Sequence, residues 1–268
     1  MRDFYYKETN GVVSLHCRAL DEIRGLRHCF TTRKGGVSQG YLAEMNLSFS
    51  REDRETVMEN WRRLCGAEGF VLDRMTLTDQ THTACVRHVD ERTAGMGMSK
   101  ESDIRDTDGL ITKLPDTPLA VFVADCAPIL MYDRDSGAVA AVHSGWRGTH
   151  GRIAAAALEE MKALWGTKPQ NVIAAVGPCI CQNCYEVGQD FKDAFKGWGG
   201  DHLFVQKGEK YHFDLKGACR LVLERAGVEE IYVSEECTAC RPELLFSHRA
   251  TAGKRGNMAG IIAVKSNR

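Results

Sequence analysis

Apolar residues gather along this chain in two ways, as short unbroken runs and as stripes at helical spacing. The segments PLAVFVADC, ILMYD, AVAAVHSGW, NVIAAVGP, EIYVSEE and MAGIIAVK are five to nine residues long, each a short apolar run that ends at turn residues or at polar chemistry. Runs of that length predict buried strands, and the first three follow one another so closely that they predict neighbouring strands. Val57, Trp61 and Leu64 predict a helix over Glu55–Cys65 that stops at Gly66. Ile153, Ala157, Met161 and Leu164 predict a second helix, opened by the glycine-punctuated turn GWRGTHGR and closed by Gly166. A third, N-capped by Asp214, carries Leu215, Cys219, Val222 and Ala226. Met75–Val89 alternates irregularly and predicts a strand that delivers His82, whereas TTRKGGVSQGYLAEMNLSFS reads as a glycine-rich functional loop. Strands and helices alternate only in places, so the expected class is α+β, a single domain over residues 1–268 with a mixed β-sheet core flanked by helices.

Composition narrows the function. With 35 basic and 36 acidic residues among 268, the chain lacks the electrostatic footprint of a nucleic-acid binder. No uncharged apolar run is long enough to span a bilayer, and the N-terminal apolar stretch is too short for a signal peptide, so the expectation is a cytoplasmic protein acting on small molecules. The 11 cysteines are odd in number, and a chain of this length needs no covalent staples, so reduced thiols or metal binding are expected. No linker, low-complexity tract or fixed-period repeat divides the sequence.

Three residues stand out chemically: His82 in QTHT, Cys126 in FVADCAP and His143 in AVHSGWRG. Thiolate and imidazole are ligands that zinc prefers, and three of them leave a fourth position open, as in catalytic sites. The same set can make a Cys–His nucleophilic dyad, or simply a buried thiol beside two hydrogen-bonded histidines. Asp125 is a candidate acceptor for a ligating imidazole or a turn cap. The glycine turn with Arg147, just before a helix, is a candidate anion cradle or merely a tight connection. Cys181-x-x-Cys184 and Cys237-x-x-Cys240 together have the ligands for a four-thiolate site, but they stand far apart in the chain and Cys179 competes, so ordinary thiols are expected. His88, His150, His212 and His248 are expected to be structural, with His150 and His248 as candidate substrate contacts.

In order along the chain, TTRKGGVS, MNLSF, QTHT, DGLIT, ADCAP, HSGWRGT, VGPCI with CYEVG, and CT…FSHR resemble the motifs of the laccase-domain family. Its members have been called polyphenol oxidases, peptidoglycan editing factors and purine nucleoside phosphorylases. The resemblance runs from about Phe30 to the C-terminus. It implies zinc on His82, Cys126 and His143, phosphorolysis of adenosine, inosine, guanosine and methylthioadenosine, and deamination of adenosine. Purine nucleosides and phosphate are then the expected partners, with Arg33, Asn46 and Arg147 as expected substrate contacts. The chain departs from the family pattern at Thr83, where glycine is common, and at Ala250 and Asn257, where arginines are. Two other enzyme readings remain open. A cysteine hydrolase using Cys126 and His143 on an amide or muropeptide would survive metal chelation. Copper-dependent phenol oxidation by a multicopper centre would need His-x-His runs, and none occurs here.

Overall fold

In the computed structural model, which describes residues 3–266, the long strands form two mixed six-stranded sheets. Sheet 1 runs β1 (Phe4–Thr9), β2 (Val12–Cys17), β3 (Leu26–Thr31), β15 (Met258–Val264), β7 (Leu119–Val123) and β4 (Thr76–Leu77). Sheet 2 runs β14 (Glu230–Val233), β10 (Val172–Val176), β8 (Ala127–Asp133), β9 (Val139–Ser144), β6 (Gly109–Thr112) and β5 (Val86–His88). β11 (Glu186–Val187), β13 (Lys210–Phe213) and β12 (Phe204–Lys207) make a small third sheet. Most pairings are antiparallel, while β4–β7, β5–β6 and β10–β14 are parallel. The class is the expected α+β.

Alternation along the strands builds a layered molecule. In β7, Leu119 and Val121 face the space between the two large sheets, where they meet Leu130, Ala141 and Ile173 of sheet 2. Ala120 faces the other way, onto Val57, Trp61 and Leu64 of the helix Arg54–Glu68. In sheet 2, Ile129, Met131, Ala140 and Val142 turn outward onto Ile153, Ala157 and Met161 of the helix Ile153–Trp165 and Val222 of the helix Leu215–Arg225. A strand covered on both faces has no polar side, which is why these segments read as continuous apolar runs. No helix among the described residues is long and apolar enough to cross a membrane.

Three local expectations change. The three consecutive apolar runs are not all neighbours: β8 and β9 pair, but β7 lies in the other sheet. The first helix passes through Gly66 and ends at Gly69, which takes φ +72° and supplies the left-handed cap that a side chain would strain. Leu164, placed by spacing on the buried stripe, is 46% exposed, because the helix is in its last turn there. Asp214 does cap its helix, accepting from Gly217 N–H, and Gly166 closes the preceding one.

At the far edge of sheet 1 lies a buried polar cluster. Glu68 accepts from Lys7 and Ser14 and faces His16, while His28 Nε2 accepts from Cys17 N–H and its Nδ1 lies 3.7 Å from Asp21. Burial, aided by the nearby charge of His16, lowers the His28 pKa from 6.5 to about 3. Below pH 6.5 the unfolded chain therefore takes up a proton that the folded one refuses, and stability falls as pH drops. His16, with a raised pKa, has its stabilisation complete below 6.5. Glu68 and Asp21, with lowered values, keep theirs above the ordinary carboxylate range. Denaturant titrations from pH 6.5 to 4.5 are expected to show a loss of up to about 1.4 kcal/mol per pH unit. His28→Gln, which keeps an acceptor for Cys17, should flatten that slope; an unchanged slope would remove His28 as its source.

Candidate metal centre between two clefts

Among the crossings between the two large sheets near one end of the stack, two carry candidate ligands. One crossover, residues 78–85, leads from β4 to β5, and the other, Ala124–Cys126, leads from β7 to β8. His82 lies on the first, in a loop with φ +66°, and not at a strand end as its surroundings suggested. Cys126 lies on the second, after Asp125 at φ +100°. His143 comes from β9, opposite Pro128 of β8, and alternation from Val139 and Ala141 turns it toward the space between the sheets. One ligand atom from each of the three lies within 4.8 Å of the others. Cys126 Sγ is 3.9 Å from His82 Nε2, and the imidazole rings meet edge to face at 5.0 Å.

Asp108, immediately before β6, holds the set together. Its Oδ1 lies 2.6 Å from His143 Nδ1, which fixes the proton on Nδ1 and leaves Nε2 to face the site. The carboxylate also accepts from the backbone N–H groups of Thr81, His82 and Thr83 and from the Thr83 hydroxyl. Thr83, the departure from the glycine common in the family, thus adds a bond to the loop that carries His82. Asp125 does not take the imidazole role considered for it: its two oxygens accept from the Thr238 hydroxyl and Arg249 N–H. Sequence reading missed Asp108, although DGLIT carried a signal, a carboxylate at the start of a wholly buried strand with no helix to cap.

The electrostatics favour a thiolate. Burial alone would raise the Cys126 pKa, but the charge of His143 and hydrogen bonds from both imidazoles bring it down to about 6. Burial would likewise depress His143, and the thiolate and Asp108 instead raise it to about 9. Gly145 leaves room for the set, since a Cβ there would sit 2.9 Å from the His82 ring and 3.0 Å from Cys126 Sγ. An anionic sulfur and two imidazoles, one oriented by a carboxylate, with glycine opposite, fit the donor set of an open zinc site.

The trio stands between two clefts that share His82, Ala124, Cys126 and Arg255. The larger, about 610 Å³, has Phe49, Leu77 and Phe122 on its walls beside Asp79, Ser102 and Arg105. The smaller, about 380 Å³, is lined by Trp146, Tyr185, Arg147, His248, Arg249 and Arg255 among others. The Arg147 guanidinium lies over the Trp146 ring, and the buried Nε of Arg255 has no hydrogen-bond partner among the described residues. The helix that begins after Gly145 is only Trp146–His150, and the long one starts after Arg152, so Arg147 reaches the cleft from a single helical turn. A groove of about 680 Å³ beside β1 and β14 holds none of these groups.

Of the remaining candidates, Arg33, Asn46 and His150 lie outside both clefts. Arg33 donates to Ala43 and Pro242 carbonyls and stacks on Phe246. Asn46 is buried, donates to Glu52, and accepts from Asn257 N–H, so it touches the larger cleft only by fixing a residue of its wall. His248 lines the smaller cleft as considered; His150 is exposed, packs its ring on Phe195 and lies outside both clefts.

The family model described as multi-copper polyphenol oxidoreductase laccase matches residues 27–265. Over 237 residues the chain is 38% identical to a purine nucleoside phosphorylase of Deinococcus radiodurans, covering 88% of each protein. Over 229 residues it is 36% identical to a protein named adenosine deaminase RL5, from an unknown prokaryotic organism, covering 82% of this chain and 87% of that one. The crystal structure of YlmD from Geobacillus stearothermophilus matches with a TM-score of 0.91 at 32% identity, covering 99% of this chain and 100% of the other. By the extent of these matches, the chain belongs to the multi-copper polyphenol oxidoreductase laccase family.

Proposed function

We propose that this protein is a zinc-dependent purine nucleoside phosphorylase that also deaminates adenosine, with His82, Cys126 and His143 as metal ligands. The observation that carries the reading is the placement of an open Cys–His–His set where a mixed apolar and polar cleft meets one lined by three arginines. The names of the relatives, phosphorylase and adenosine deaminase, support the same substrate class. His82, Cys126 and His143 would hold the zinc, which would supply Lewis acidity to a bound reactant.

The chain's own residues set up the rest. Phe49, Leu77 and Phe122 offer the nucleoside an apolar wall in the larger cleft. Arg147, Arg249 and Arg255 make the smaller cleft cationic, and none of them forms a carboxylate ion pair among the described residues. A phosphate there satisfies the buried Arg255 Nε and is held for attack on the ribose anomeric carbon. A bond forms from phosphate oxygen to that carbon as the bond to the purine nitrogen breaks, and the base leaves with the electron pair and takes up a proton. Cytoplasmic location and Arg33 and Asn46 as loop residues supporting substrate belong to the same proposal.

Chromatography of products from adenosine, with and without phosphate, tests it. Phosphate-dependent adenine and ribose 1-phosphate, with phosphate-independent inosine, are expected. Arg147→Ala should raise the apparent KM for phosphate about tenfold, the equivalent of about 1.4 kcal/mol, while deamination changes little. Normal phosphate dependence in that variant would take Arg147 out of the anion site.

The order Asp108–His143–Cys126 favours one second reading, a cysteine hydrolase. Such a triad has no use for His82 beside the sulfur. Activity that survives chelation and disappears on thiol alkylation would select it. A single His–Cys–His set does not supply the several coppers of a multicopper oxidase.

A further inference from the structure

The two Cys-x-x-Cys pairs, far apart in the chain, are brought together by sheet topology. β10 and β14 are parallel neighbours, so the loops that follow them leave the sheet side by side in the same direction. The pairing continues past the strand ends through a bridge between Cys179 and Cys237. Cys181 and Cys184 lie on the first loop, Cys237 and Cys240 on the second, and their four sulfurs all lie within 4.8 Å of one another. Cys184 Sγ is 3.4 Å from Cys240 Sγ, and Cys181 N–H donates to Cys237 Sγ at 3.2 Å. Cys179, expected to compete, is fully buried in the apolar core on the outer face of sheet 2 and lies outside the cluster.

We infer that Cys181, Cys184, Cys237 and Cys240 form a second metal site, a structural tetrathiolate zinc, separate from the His82–Cys126–His143 set. Four zinc–sulfur bonds of about 2.3 Å in a tetrahedron place the sulfurs about 3.8 Å apart, so the four need only small adjustments. No disulfide joins any of them; a bridge would need a sulfur–sulfur distance of about 2.05 Å and would use two of the four, not all of them together.

Such a site would staple the wall of the smaller cleft. Ile180 and Tyr185 line that cleft and flank the first pair. Ile180 N–H donates to the Asp125 carbonyl, and Thr238, beside Cys237, donates to the Asp125 carboxylate, so both loops grip the residue before Cys126. Arg249 donates to the carbonyls of Cys184 and Glu186. The ion's role is to fix these loops, since its four protein ligands leave no open position for substrate.

Metal analysis of the purified protein after removal of loosely bound ions tests the inference. About two zinc ions per chain are expected. Cys240→Ser should lose about one of them and lower the Tm by about 5–10 °C, whereas Cys126→Ala should lose the other. Should Cys240→Ser fail to fold, the Cys126→Ala protein loaded with Co2+ gives the answer: intense thiolate-to-cobalt charge transfer with tetrahedral bands supports the site, and its absence overturns it. Unchanged zinc content in Cys240→Ser, iron in place of zinc, or disulfides among these four cysteines in unreduced protein would each overturn it. Because the readouts are metal content and spectrum, the result does not depend on the nucleoside reading.

Discussion

Cys126→Ala is expected to abolish turnover, lowering kcat/KM by at least about a thousandfold, and to release the metal of the His82–Cys126–His143 set. The sulfur is the only anionic ligand of the three, and the lowered pKa of the thiol ties its charge to the raised one of His143. Alanine leaves two imidazoles and no anionic ligand, and the exposed His82 is then held by its loop and its edge-to-face contact with His143. The fold should tolerate the change, because Cys126 stands half-buried at the mouth of two clefts and not in the apolar layers. A melting temperature within a few degrees of the parent, together with lost metal and lost turnover, is the expected combination. Full activity in Cys126→Ala would end both the zinc and the cysteine hydrolase readings. Chelation separates those two: activity removed by chelator and restored by zinc belongs to the metal.

Asp108→Asn is expected to weaken metal binding about 10- to 100-fold and also to cost about 2–4 kcal/mol of stability. The carboxylate is fully buried and accepts from three consecutive backbone N–H groups, a hydroxyl and an imidazole. An amide offers one oxygen and one NH2 in the same space, so at least one side of this network meets donor against donor. The His82 loop loosens, or His143 loses the partner that sets its tautomer. Zinc titration and thermal melting measure the two effects, and unchanged values in both would show that the ligands are positioned without Asp108. Asp108→Glu, which keeps the charge but lengthens the arm, should recover part of the stability and little of the affinity.

The sequence exposes chemistry here more readily than topology. Cys126 and His143 end apolar runs, and their residue types alone select them together with His82. That the strand before Cys126 belongs to one sheet and the strand after it to another is invisible in the run lengths, because strands buried on both faces look alike. Gly66 looked like a helix stop, yet the adjacent turns pack Leu64 and Cys65 onto sheet 1, and that burial outweighs the roughly 1 kcal/mol that an interior glycine costs. Asp108 has no periodicity to betray it, since its partners are backbone groups 25 to 27 residues away and an imidazole 35 residues on. The cysteine pairs were hidden by distance along the chain, which parallel pairing of β10 and β14 erases.

The two crossovers that carry His82 and Cys126 make the candidate metal centre a seam as well as a site. A ligand bound there touches segments owned by both sheets, so it favours only conformations in which the sheets are docked, and by linkage its occupancy adds RT ln(1 + [L]/Kd) to their docking. Loss of the ion then reaches beyond chemistry: the apo protein should breathe along the intersheet layer, with faster amide exchange in β7 and β9, the two strands that run into the seam, than in the edge hairpin of β1 and β2 relative to the loaded state.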